Sequence, residues 1–415
     1  MTVRRLAAVD AQTHWMARAI PSDQFLLYGF DAAATDLDRT LATIADRARR
    51  CPDLRLRVAE TSFWTYPVWE PRDVDSDQFG IREPVSWPEC LTAVASLADA
   101  QLDATVSTWR LHVFPSVGEM PIAGAGTVVV LQISHALGDG IRASALAAYL
   151  FGRDSSIPAA GSPRGRAHLP RRALAAARAH RRLVRDTDAG LVPPQADSRP
   201  ALRSNARPSG RRYLRTVIRR RMHLPGPTVT VGALTAVSAA LAGHLRELGD
   251  DPALLGAEVP MARAGPRRAN NHFGNVGVGL YPELDAGARA SRIALDLSER
   301  RRRAAHPAMA AEDAAFGAVP APLLRWGVSH FDPDVRSATV TGNTVVSSVN
   351  RGTADLRFGA AQVVLTAGYP SLSPMMGLTH GVHGVGDTIA VSVHAAESAI
   401  GDIDAYVARL EHELA

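Results

Sequence analysis

An unbroken, β-branched apolar run, GTVVVLQIS (126–134), stops on a histidine and is followed at once by HALGDG (135–140). The run is strand-length and reads as a buried strand. IRASALAAYLF (141–151) then reads as a helix. Between them lie a His and an Asp four positions apart, with a glycine on each side of the Asp. A helix across 135–139 would put both side chains on one face, where they could hold a metal. Gly138 and Gly140 argue against it, because each glycine costs about 1 kcal/mol in a helix interior. A tight strand-to-helix turn fits better, with Asp139 and Gly140 at the helix entry. There Asp139 would cap the helix or pair with an arginine, and so hold the turn that aims His135.

His135 suits general-base chemistry. A neutral imidazole offers one ring nitrogen as donor and the other as acceptor, and its ordinary pKa of about 6.5 lies near working pH. Ser134 invites a Ser–His dyad, yet neighbouring residues of a strand point to opposite faces. No G-x-S-x-G elbow occurs elsewhere. A satisfied core histidine is the plainer alternative for His135.

The wider composition removes several chemistries. All 46 basic residues are arginine, so a P-loop lysine, a pyridoxal Schiff-base lysine and a kinase-type lysine are excluded. The two cysteines, Cys51 and Cys90, make neither a zinc site nor a disulfide framework on their own. No apolar stretch reads as approaching the ~20 residues of a membrane span, and the N-terminus lacks a secretory apolar region. The expectation is a soluble, cytoplasmic protein of two domains.

The net charge of +5 is unevenly spread. Residues 153–221 hold 18 Arg against 4 Asp, which leaves the remainder of the chain at −9. This Arg-, Pro- and Gly-rich stretch reads as an interdomain linker with one helix at 171–186. Its readings are a solvated helix with loops, a peripheral contact with anionic lipid, or contacts to the phosphates of a ligand. Nucleic-acid binding ranks last, since only Tyr213 interrupts the arginines. Expected boundaries are 1–155 for a first subdomain, 156–222 for the linker and 223–415 for a second. Strands are expected at 25–30, 54–60, 108–114, 258–260, 276–282, 344–349, 361–368 and 387–395, with helices at 229–248 and at the C-terminus. The class is α/β (α+β), with a mixed sheet flanked by helices in each half and the site between them.

HALGDG in this setting resembles the HHxxxDG segment of the chloramphenicol acetyltransferase/condensation-domain superfamily. Within it, the chain looks most like bacterial wax ester synthase/acyl-CoA:diacylglycerol acyltransferases. RRLAAVDAQTHWM (4–16), PTVTVGALTAVSAALAGHL (227–245), VPMARAGPRRANNHFGNVGVGLYP (259–282), TVVSSVNRG (344–352) and AQVVLTAGYPSLSP (361–374) extend the likeness in order. The resemblance implies two subdomains with an interface tunnel, and direct transfer of an acyl group from acyl-CoA to an alcohol with His135 as general base. Asp139 and Gly140 would shape the turn. Ser134, His272, Asn275 and Ser348 would meet substrate. No cofactor or metal is implied.

The chain departs from the family at Ser134, which replaces the first motif histidine, at Thr230–Val231, and around Ser348–Asn350. Two further readings therefore stand beside the first. One is a natural-product O- or N-acyltransferase fed by an acyl carrier protein and using an alcohol or amine acceptor. The other is an inactive scaffold of the same fold. From the residues alone, His272 reads rather as a loop histidine without a role, and Ser347 and Ser348 as structural strand serines. His380 and His383, in THGVHG, read as a loop near the cleft.

Overall fold

The computed structural model describes residues 4–415 except 84, 162–167 and 225, so Arg164 and Arg166 of the basic stretch lie outside the described residues. In chain order, the elements that frame the site are α1 (Ala8–Met16), β1 (Gln24–Phe30), β2 (Trp109–Met120), β3 (Gly124–Ile133), α2 (Gly140–Leu150), α3 (Leu169–Asp188) and β4 (Arg212–Arg220). They continue with α4 (Val229–Glu247), β5 (Gly256–Ala262), β6 (Phe273–Gly279), α5 (Ala286–Ala304), α6 (Pro307–Phe316), β7 (Thr344–Asn350), β8 (Ala361–Gly368), β9 (Leu378–Val385), β10 (Thr388–Ala396) and α7 (Ile403–Glu413).

β3 is an interior strand of the first sheet, antiparallel to β1 on one side and to β2 on the other, with Gln24 and Trp109 both opposite Ile133. Val128, Val129, Val130, Leu131 and Ile133 are fully buried, each worth about 1.5–3 kcal/mol of apolar transfer. That burial on both faces is why the run shows no polar alternation. The sheet order is 357–358, β8, β1, β3, β2, then 79–81, which pairs in parallel with β2. The second sheet runs β4–β10–β9–β7–β5–β6, with β7 parallel to both β5 and β9. Both sheets are thus mixed and both carry helices.

The chain does not divide at one linker. β4 falls within 156–222, yet it pairs along nine residues with β10 as the edge of the second sheet. Its alternation RYLRTVIRR is masked by arginines, whose charged ends reach solvent while Leu214 and Val217 are buried. β8 comes late in the sequence but belongs to the first sheet, paired with β1. The chain then re-enters the second sheet as β9. The sheets meet at glycines: a Cβ on Gly381 of β9 would lie 2.0 Å from the Gly368 carbonyl oxygen, so only glycine permits this approach.

Two expectations are corrected here. THGVHG (379–384) is not a loop but part of β9, an interior strand buried at every position; its glycines and histidines hid the strand pattern. α4 (Val229–Glu247) is long and apolar enough to cross a membrane, against the expectation that no stretch approaches that length. Most of it is buried against the second sheet and α7 as a core helix.

Candidate functional site

β3 ends at Ile133 and the chain turns immediately. The Ser134 N–H donates to the Thr108 carbonyl, and the Leu137 N–H returns to the Ser134 carbonyl (both 2.9 Å). Gln24 Nε2 donates to the Gly138 carbonyl at 2.6 Å, tying the turn to β1. A Cβ at Gly138 would sit 2.8 Å from the Arg142 side chain, so this glycine makes room for the arginine beneath the turn. Arg142 is fully buried, donates to the Leu137 carbonyl at 3.0 Å and pairs with Asp53.

Asp139 is the N-cap of α2, accepting the Arg142 N–H at 3.1 Å. Its carboxylate also accepts from Arg267 (Nη1 at 2.8 Å, Nη2 at 3.3 Å) and from the His272 N–H at 2.9 Å. Asp139 thus fastens the turn of the first half to the 267–272 segment of the second. Gly140 lies against that second half too, where a Cβ would come 3.3 Å from Val349.

The same segment holds His135. Its Nδ1 lies 2.8 Å from Asn271 Oδ1, and Asn271 Nδ2 donates back to the His135 carbonyl at 2.8 Å. The amide orientation is fixed because Asn271 Nδ2 also donates to Asp10 Oδ1 at 3.0 Å. Asp10, on α1, further accepts the backbone N–H groups of Asn270 and Asn271, both at 2.9 Å. An amide oxygen accepts only, so His135 carries its proton on Nδ1 and Nε2 is left as a lone-pair acceptor. Burial lowers the His135 pKa, opposed by hydrogen bonds including the one Nδ1–H donates to Asn271, so the ring is neutral near pH 7. Burial raises Asp10 to about 6 against the three N–H groups it accepts, and it is ionised above that.

His135 lines a cavity of about 860 Å³ walled by both halves of the chain. Asp139, Gly140, His272, Asn275 and Ser348 share that lining, as do Glu258, Ser347 and Arg351. Asn275 Nδ2 donates to Glu258 at 3.2 Å, and burial raises the Glu258 pKa. Thr230 donates to Ser348 Oγ at 3.0 Å. His272 lines the wall through a half-exposed ring 3.3 Å from the Gly265 carbonyl. Ser134 is buried and is not among the cavity-lining residues. His380 faces the core, between Thr344 (2.8 Å) and the Tyr406 hydroxyl (2.6 Å), whereas His383 reaches the cavity wall.

Asp10, Arg267, Asn271, Glu258 and Arg351 escape the motif-based reading. Asp10 stands far from the motif in the chain, and Arg267 and Asn271 lie in an irregular stretch between β5 and β6. Only the aspartate in the family-like opening at 4–16 gave a signal for the first of them.

No protein-family model matches this sequence, and no curated protein matches it. Solved structures do. The wax ester synthase/diacylglycerol acyltransferase from Marinobacter aquaeolei VT8 superposes with a TM-score of 0.63 at 17% identity, covering 99% of this chain and 98% of that one. The starter condensation domain of rhizomide synthetase RzmA, a double mutant in complex with C8-CoA and Leu-SNAC, gives 0.58 at 13% identity, covering 100% and 93%. A single-mutant form of that domain in complex with C8-CoA gives 0.58 at 12%. Along its whole length the chain therefore shares its fold with that wax ester synthase/diacylglycerol acyltransferase and with the starter condensation domain.

Proposed function

We propose that the protein is an acyltransferase that moves an acyl group from a thioester to the hydroxyl or amine of a polar acceptor. The observation that carries this reading is the Asp10–Asn271–His135 chain, which fixes the imidazole proton on Nδ1 and frees Nε2 as a base in the cavity lining. His135 Nε2 takes the acceptor proton as the oxygen or nitrogen adds to the thioester carbonyl. The tetrahedral intermediate then collapses, the C–S bond breaks, and the departing thiolate takes the proton from the imidazolium. Asp139 acts as a positioning residue through the turn it caps. No metal or cofactor takes part in this scheme.

The cavity wall favours a natural-product O- or N-acyltransferase over a wax ester synthase. Apolar side chains, among them Phe25, Val259, Met261 and Met376, make up much of the lining and would hold an acyl chain. Glu258, Ser347, Ser348, Thr230 and Arg351 offer hydrogen-bonding groups that a polar acceptor would match and a hydrocarbon alcohol would not. C8-CoA and Leu-SNAC in the condensation-domain structure support a thioester donor and an amine acceptor for this fold. A carrier-protein thioester is the donor we favour, with acyl-CoA the alternative.

The test is thiol release from a panel of acyl-CoA and acyl-pantetheine donors with alcohol and amine acceptors, repeated with His135→Ala. Release that depends on His135 and on an acceptor supports the proposal. Release that survives the substitution removes it.

A further inference from the structure

Arg351 presents a problem that the proton-transfer machinery does not solve. It lies just past β7 at the cavity wall and is only 5% exposed. Its Nη1 donates to the Leu27 carbonyl at 3.3 Å and to Thr366, and its guanidinium stacks on the Tyr28 ring with 4.9 Å to the centroid. It makes no ion pair among the described residues, and its Nε is buried without any hydrogen-bond partner. Its Nη2 makes no hydrogen bond among the described residues either. A guanidinium does not shed its proton in a protein, and an unpaired buried charge is among the costliest arrangements a fold can hold.

Of the two unused nitrogens, Nε is sealed off by its surroundings, while Nη2 is left to donate a charge-assisted N–H···O bond to a carboxylate. Gly368 gives that nitrogen and the neighbouring His383 ring their room. A Cβ at Gly368 would lie 2.9 Å from Arg351 Nη2 and 2.9 Å from His383 Nε2. His383 is itself 6% exposed, lines the cavity and has an Nδ1 without a partner. Burial and the neighbouring Arg351 charge hold its ring neutral, so it adds no second positive charge and a single negative charge balances the site.

We propose that Arg351, with Gly368 and His383, is the binding site for a carboxylate carried by one of the two substrates. This deepens the acyl-transfer reading and rests on it for the substrate's role. The carboxylate would be the distal group of a dicarboxylic acyl chain or the acid group of the acceptor. Either way the protein selects a polar, mono-anionic partner over a hydrocarbon one.

Two independent readouts separate this proposal from the chemistry above. Binding of short mono- and dicarboxylates, with their methyl esters as controls, is measured calorimetrically on wild type, His135→Ala, Arg351→Gln and Gly368→Ala. Carboxylates should bind wild type and His135→Ala alike. They should bind about 10- to 100-fold more weakly to Arg351→Gln, the loss of a charge-assisted pair, and to Gly368→Ala, which keeps the arginine but drives a Cβ against Nη2 and displaces it. Turnover of glutaryl-CoA against valeryl-CoA, and of hydroxy acids against their methyl esters, then assigns the carboxylate to donor or acceptor. Arg351-dependent binding without any turnover would keep the carboxylate site and remove the acyl-transfer reading. A wild type that binds acids no better than esters, or a preference that survives both Arg351→Gln and Gly368→Ala, would overturn the site.

Discussion

Replacing Asp10 by Asn tests whether a carboxylate that touches no substrate governs the base. In wild type its two oxygens accept three N–H groups, at 2.9, 2.9 and 3.0 Å, from Asn270 and Asn271. An asparagine keeps one acceptor oxygen for Asn271 but turns an NH₂ toward the Asn270 N–H. One charge-assisted bond, worth about 1.5–3 kcal/mol, is lost to opposed donors. Against this, the buried charge disappears. A carboxyl raised from 3.8 to about 6 holds its charge at pH 7 at a penalty of about 3 kcal/mol. The two terms nearly offset, so Asp10→Asn should fold with a melting temperature close to wild type. Activity has no such compensation. Asn271 loses its charged anchor, His135 Nδ1 loses a fixed partner, and kcat/KM should fall about 10- to 100-fold, as for other outer partners of a functional histidine. The pH profiles add a second check. Wild-type stability should decline from this group as pH rises from 3.8 through about 6, because the native state holds the proton that the unfolded state has lost. The wild-type acid limb of kcat/KM should carry both the His135 and the Asp10 protonations, the variant only the former. Thioester-cleavage kinetics from pH 5 to 8, with thermal melts alongside, measure all of this. A variant with kcat/KM within about twofold of wild type and an unchanged acid limb would refute the reasoning.

Other substitutions probe other parts of the site. His135→Ala should abolish acceptor-dependent thiol release while leaving the fold intact, read by turnover and circular dichroism. Asp139→Ala leaves Arg267 without its buried partner and α2 without its cap. It should cost about 3–5 kcal/mol in a denaturant titration and lower kcat/KM through the displaced turn. Arg351→Met removes a buried, unpaired cation, so the melting temperature should stay level or rise even as carboxylate binding is lost; a marked fall would mean that Arg351 serves the fold. Gly381→Ala drives a Cβ to 2.0 Å from the Gly368 carbonyl, and chemical denaturation should report a loss of at least about 3 kcal/mol, or no folded protein.

Local order was plain in the chain itself: a strand with no polar alternation, a turn marked by Gly138 and Gly140, and a helix capped by Asp139. These are written within twenty-five consecutive residues, where side-chain periodicity and helix capping act over short range. The same logic failed where local signals were diluted, as in β4 beneath its arginines and in β9 with its glycines and buried histidines. What no local pattern could supply is convergence. The motif offers His135 a place at a strand end, but Asp10, Asn271 and Arg267 reach it from about 125 to 136 residues away. They meet there because the 267–272 segment of the second half closes on α1 and the turn of the first. The tautomer of His135, the walls of the cavity and the solitary Arg351 beside Gly368 belong to that closure. Each depends on hydrogen-bond geometry and burial between parts of the chain that sequence spacing does not bring together.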